Sequence, residues 1–284
     1  MILLIDIGNT RAKYAWLDPD ASQLHITAET LDYADLSDLI GLPHKPRRIL
    51  GSNVAGPDIA ARLEQACRTA WGLGVHWCDT RHGRDLLRNR YTDPARLGAD
   101  RWLGLLGLLR HVHPLADWRD GHPALLVSFG TATTIDTLLP EPRHDMPPAG
   151  GPHPQASFIG GLILPGPSLM AQSLARGTAQ LPLTAGHCVD FPRETHDAIA
   201  SGIAAAQAGA VLRQWRLALR AAGGHAPRVF VCGGGWPVVR DTVQAALTQA
   251  QADLRLPQTP AQWLDNPVLD GLACLVSHPP DPDA

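Results

Sequence analysis

The chain has 284 residues, 45% of them hydrophobic and 18% charged, with a formal net charge of -3, which suits one large globular domain or two ordinary ones. Lys and Arg are scattered, so neither nucleic acid nor anionic lipid has a general electrostatic hold on it, and no stretch approaches the length of a membrane span. The five cysteines are widely spaced and form no C-x-x-C pair, which argues against a disulfide framework or a cysteine zinc site and for a reducing, cytoplasmic setting.

Residues 2–7 (ILLIDI) form a short, continuous apolar run rich in β-branched residues, the pattern of a buried strand. Gly8-Asn9-Thr10 is turn chemistry, and Lys13–Leu17 completes a hairpin. Helical spacing follows at Ile59–Trp71 and at Ala99–His111. Pro114 and Pro123 interrupt helix and place a hinge near 112–124; the chain divides accordingly into residues 1–115 and 116–284. A second strand–turn–strand occupies Ala124–Leu139 around Phe129-Gly130-Thr131-Ala132. Laid over one another, Leu3–Thr10 (LLIDIGNT) matches Leu125–Ala132 (LLVSFGTA), with Asp6 on Ser128, Gly8 on Gly130 and Asn9 on Thr131. One fold unit used twice would give this match. Residues 140–156 are rich in Pro and Gly, without periodicity, and read as a surface excursion. Phe158–Leu164 is expected as a strand, followed by a Pro165-Gly166-Pro167 turn and a helix from Ser168. Ala198–Ala222 is a long Ala-rich helix. Arg228–Cys232 is a strand running into Gly233-Gly234-Gly235, with a helix from Val238 and a frayed tail from Ser277. Strands and helices alternate throughout, so the class is α/β.

Three glycine turns at strand ends carry the chemistry: Gly8, Gly130 and Gly233–Gly235. A residue without Cβ lets backbone N–H groups approach a phosphate chain. Neither G-x-x-x-x-G-K-[ST] nor G-x-G-x-x-G occurs, which leaves phosphate binding by hairpin turns, as in two-lobed actin-like ATPases. Asp6 ends the first strand directly before its turn. It can hold Mg²⁺, through the waters that this ion retains, or simply bond the turn backbone. Asp100 stands at the start of the 99–111 helix. Read alone, it is a helix cap or dipole partner with Arg101 as its ion pair. Asp136 fits a structural role as well as a nucleotide or metal contact. The thirteen histidines contain no helical H-x-x-x-H pair beside a carboxylate, and no histidine metal site is expected.

Taken together, Asp6–Thr10 (DIGNT), Leu97–Arg101 (LGADR), Phe129–Asp136 (FGTATTID), Gly160–Gly166 (GGLILPG), Thr178–Pro182 (TAQLP), Ser201-Gly202, the triglycine and Asn266–Leu272 (NPVLDGL) resemble the type III pantothenate kinase family nearly end to end. The resemblance implies an actin/hexokinase/Hsp70-like (ASKHA) fold of two ribonuclease-H-like lobes with a cleft between them, assembled as a homodimer. It implies transfer of the ATP γ-phosphoryl group to pantothenate, the first step of coenzyme A synthesis. The non-catalytic alternative is a regulatory or accessory nucleotide-binding protein, and retention of Asp6, Asp100, Arg101 and Thr131 speaks against it. By family analogy Asp6, Ile7, Gly8, Asn9, Thr10, Arg11, Ala12 and Lys13 line the phosphate site, with Gly130, Thr131, Gly233 and Gly234 as further nucleotide contacts. Asp100 is the base facing the substrate hydroxyl, and Tyr91, Gly98, Ala99, Arg101 and Thr178 bind pantothenate. Arg101 offers a fixed fork of donors for its carboxylate or for a hydroxyl. A carboxylate of ordinary pKa about 4 can orient an alcohol and take its proton late in a loose phosphoryl transfer.

The chain departs from the family at Ser128, where an aspartate normally helps bind an activating K⁺ or NH₄⁺. A hydroxyl replaces a charge there, so monovalent-cation dependence is expected to be weakened.

Overall fold

The computed structural model describes residues 1–20, 26–35, 41, 44–141, 154–177 and 186–277. Within these, contacts divide the chain into two compact units. The first takes Met1–Leu115, Glu141–Phe158 and Asn266–Ala284, and the second takes Ala116–Pro140 and Ile159–Asp265. The sequence reading drew one cut between 115 and 116; the units instead draw on separated stretches, because the chain's last described helix returns to the first unit.

In the first unit, β1 (Ile2–Ile7) lies at the centre of a five-stranded sheet. It pairs antiparallel with β2 (Ala12–Leu17), which pairs with β3 (Glu29–Leu31), and parallel with β4 (Arg48–Asn53), which pairs with β5 (His76–Trp77). The strand alternation divides β1 between two layers. Leu3, Ile5 and Ile7 face a core with Ile49 and with Leu63 and Cys67 of α1 (Pro57–Trp71). Asp6 therefore points to the opposite face, on which α7 (Pro267–Ser277) and α2 (Ala99–Val112) pack against β1 and β4. The helical spacing seen at 99–111 becomes α2, which is buried at every residue from Arg101 to Leu109, the signature of a helix covered on several sides. Two glycines allow this. A Cβ on Gly107 would lie 2.0 Å from the Pro267 carbonyl oxygen, and one on Gly271 would lie 2.0 Å from that of Leu103, so α2 and α7 cross backbone against backbone.

The second unit repeats the plan. β7 (Ala124–Phe129) forms a hairpin with β8 (Ala132–Pro140) and runs parallel to β10 (Arg228–Cys232), which pairs with β11 (Gln262–Trp263). The next strand beyond β8 is β9 (Ala156–Pro165). Its first residues, Ala156–Phe158, belong to the first unit and pair there with β6 (Leu87–Asn89). With the edge strand β6 of the six-stranded second sheet set aside and its other strands counted from β7, both sheets run 3-2-1-4-5, the ribonuclease-H-like arrangement that the resemblance implied. Leu125, Val127 and Phe129 pack on α5 (Thr195–Ala221) and α6 (Trp236–Asp253) through Trp215, Val239 and Val243. α3 (Ala116–Arg119) and α4 (Pro167–Gly177) complete the elements. The 140–156 excursion and the 277 tail lie mostly outside the described residues.

A candidate kinase active site

The internal match seen in the sequence is a match of hairpins. In the first, Gly8 N–H donates to the Arg11 carbonyl at 3.2 Å; in the second, Gly130 N–H donates to Ala132 at 3.1 Å, so the second turn is one residue tighter. Asn9, Thr10 and Arg11 are exposed, whereas Ile7 and Ala12 are 0% and 1% exposed. The side chains of Ile7 and Ala12 thus belong to the core, and only their backbone is available to a phosphate. Two residues to which the sequence assigned no role hold this hairpin. The Tyr33 hydroxyl donates to the Gly8 carbonyl, and Lys13 Nζ donates to Asn266 Oδ1 at 3.0 Å.

Asp6 sits behind the turn. Its Oδ1 is buried without a hydrogen-bond partner, and its pKa is raised to about 7, first by burial and then by the negative charge of Asp100, against the lowering effects of Lys13 and the Ser52 hydroxyl. An unsatisfied buried carboxylate oxygen is costly, and a proton or a cation can satisfy it. Asp6 is the residue here that could hold a hard divalent ion such as Mg²⁺, which takes oxygen ligands and keeps waters; among the described residues no group of three or more His, Cys, Asp or Glu is placed to hold a metal ion.

Asp100 lies in the first turn of α2, where the helix dipole favours a negative charge. Its Oδ1 accepts the Arg101 N–H at 2.8 Å. Burial raises its pKa, opposed by that hydrogen bond and by the Arg101 charge. Gly98 makes room for the carboxylate, since a Cβ there would stand 2.7 Å from Asp100 Oδ1. Arg101 is 7% exposed. Its Nη1 donates to the Tyr91 hydroxyl at 2.8 Å, and its Cζ lies 5.7 Å from the ring centroids of Tyr91 and of Phe158.

In the second unit, glycines converge on the β7–β8 turn. Gly166 N–H donates to the Thr131 carbonyl at 2.9 Å and Gly235 N–H to Phe129 at 2.8 Å. A Cβ on Gly166 would come within 2.1 Å of the Gly130 oxygen, and one on Gly233, whose φ is +94°, within 2.5 Å of the Phe129 oxygen. Only glycine fits these approaches. Ser128 is half-buried in β7, on the strand face that also carries Asp136 in β8.

A family model described as type III pantothenate kinase matches residues 2–217. The chain belongs to the type III pantothenate kinase family. The type III pantothenate kinase of Bordetella petrii is 49% identical over 289 residues, covering 100% of each chain, and that of Bordetella bronchiseptica is 44% identical, covering 98% of each. Among solved structures, an archaeal actin homologue is 11% identical with a TM-score of 0.43, covering 98% of this chain and 99% of its own. A ROK family protein from Streptococcus pneumoniae is 13% identical with a TM-score of 0.39, covering 98% of each.

Of the residues that the pantothenate kinase resemblance marks, the first unit brings together two groups. Asp6 and Asp100 are close enough to raise the Asp6 pKa, with Lys13 beside them, and Arg101 joins Tyr91. Gly130, Thr131, Gly233 and Gly234 stand around the second unit's turn. Thr178 lies outside the described residues. Asn266 falls in a motif that the sequence reading quoted without assigning it a role, while nothing in the residue string around Tyr33, Ser52 or Phe158 distinguishes them from packing residues.

Proposed function

We propose that this pantothenate kinase, which phosphorylates pantothenate from ATP at the head of coenzyme A biosynthesis, uses Asp100 as the group that receives the proton of the attacking hydroxyl. The observation that carries this is the placement of Asp100: a half-buried carboxylate with a raised pKa, fixed at a helix start, within electrostatic reach of Asp6. Raising the pKa moves a carboxylate toward working pH and makes it a better proton acceptor. Because phosphoryl transfer is loose, the proton moves late, and Asp100 acts chiefly by orienting the hydroxyl.

The exposed turn at Asn9–Arg11 presents backbone amides to the phosphates, and Lys13 adds positive charge. Thr131, Gly130, Gly233 and Gly234 are further nucleotide contacts in this reading. Asp6 holds Mg²⁺, which when bound neutralises phosphate charge. Arg101 and Tyr91, with Gly98, Ala99 and Thr178, bind pantothenate; the fork of Arg101 suits its carboxylate. Ser128 offers a monovalent cation one neutral oxygen, so K⁺ or NH₄⁺ activation is weak here. The protein acts in the cytoplasm as a homodimer, a reading in keeping with the exposed apolar residues Ile159, Ile163 and Leu169 on β9 and α4. Among the described residues no helix is long and apolar enough to cross a membrane.

The test is Asp100→Asn assayed by ADP release with pantothenate. Turnover should fall about 100-fold or more while the thermal midpoint stays near that of the parent. A near-normal rate would remove Asp100 from the mechanism.

A further inference from the structure

We infer that Phe158 is a positioning residue for the acceptor site, which presents the Arg101 guanidinium to substrate through its aromatic face. The inference rests on Arg101 binding pantothenate. Phe158 is 0% exposed and touches no solvent. Its ring lies 5.3 Å from that of Tyr91 with their planes 33° apart, and Arg101 Cζ is 5.7 Å from both centroids. At that separation a guanidinium is attracted by the negative face of an aromatic ring, and more strongly when water is excluded, as it is around Arg101.

One strand pairing places both rings. Phe158 stands opposite Asn89 in the β6–β9 register, and Arg90 N–H donates to the Phe158 carbonyl at 3.0 Å. Asn89 Oδ1 in turn accepts the Tyr91 N–H at 3.0 Å, which orients the loop that carries the second ring. The Tyr91 hydroxyl then receives Arg101 Nη1. Arginine is a long side chain whose freedom is lost when it binds an anion. Two rings and one hydroxyl hold it before substrate arrives, so less freedom remains to be lost on binding. A lysine could not replace it, having no planar, delocalised head to lie against the rings. Phe158 touches neither pantothenate nor phosphate in this account, and its effect reaches the reaction only through Arg101.

Fluorinated phenylalanines test this, since they weaken the ring's negative face with little change of shape. With 4-fluoro-, 3,5-difluoro- and 3,4,5-trifluorophenylalanine incorporated at position 158, KM for pantothenate should climb with each fluorine, to about tenfold for the trifluoro ring. KM for ATP should stay constant, as should the thermal midpoint. Phe158→Leu, which keeps apolar bulk without a π face, should reproduce the rise. A flat pantothenate KM across the fluorine series would overturn the inference, and so would an equal rise in the KM for ATP. Arg101→Ala separates the two levels. If it raises pantothenate KM while the fluorine series is flat, the role of Phe158 alone fails; if it leaves that KM unchanged, the acceptor-site reading fails and the Phe158 role with it.

Discussion

Replacing Asp6 by Asn should make the ligand-free protein more stable and the enzyme inactive, and the size of the first effect follows from its surroundings. Burial and the charge of Asp100 lift the Asp6 pKa from an ordinary 3.8 to about 7. A carboxyl group that binds its proton more tightly when folded makes the folded state hold more protons than the unfolded one between those two values. Stability must therefore fall as pH rises through that window. At 1.36 kcal/mol for each pKa unit, the whole displacement corresponds to roughly 4 kcal/mol, fully lost once the pH passes the folded value. Asparagine has nearly the same shape and does not titrate, so it escapes the loss. In metal-free buffer without nucleotide, thermal midpoints measured from pH 5 to pH 8 should diverge. The variant should gain about 3 kcal/mol over that range, roughly 5 °C for a chain of this size, and the gain should flatten above pH 7. Curves that run parallel across the range, or a variant less stable at pH 8, would refute the reasoning. On the proposal that Asp6 holds Mg²⁺, activity should be lost at every pH, because the oxygen left unpartnered in the fold is the one offered to the ion.

Gly98→Ala should leave stability nearly unchanged, since the new methyl meets only the movable end of Asp100, at 2.7 Å, yet turnover should fall markedly because the carboxylate is displaced; steady-state kinetics beside a melting curve separates the two. Gly271→Ala drives a methyl to 2.0 Å from the Leu103 carbonyl oxygen, backbone that cannot swing aside, and should cost about 3 kcal/mol, visible as a lower thermal midpoint. KCl titrated at constant ionic strength should change the rate little, given Ser128; strong saturable activation would contradict this.

Much of the architecture is written locally. Buried strands such as β1 and β7 are continuous apolar runs ending in glycine turns, and their periodicity is visible without any tertiary knowledge. β4 is not, although it is a central strand. Gly51 interrupts its apolar run, and the reason appears only in the fold, where a Cβ would meet the Trp77 ring at 2.7 Å. α7 was likewise no more than a motif, because its burial depends on a partner helix distant in sequence. The same divide runs through the site. Asp6 and Asp100 stand where local turn and helix-start chemistry puts them, whereas Phe158 and Tyr33 look like packing residues until the fold brings Arg101 and Gly8 to them.

The crossing of α2 and α7 also bears on how the chain comes to be folded in a cell. α2 is complete by residue 112, yet the helix that covers it begins at Pro267. A ribosome therefore releases the second unit's sheet before it releases the cover of the first. Until then the nascent first unit carries a bare leucine-rich helix flank, a natural target for chaperones, and a ribosome stalled before codon 267 would leave a product open to proteolysis.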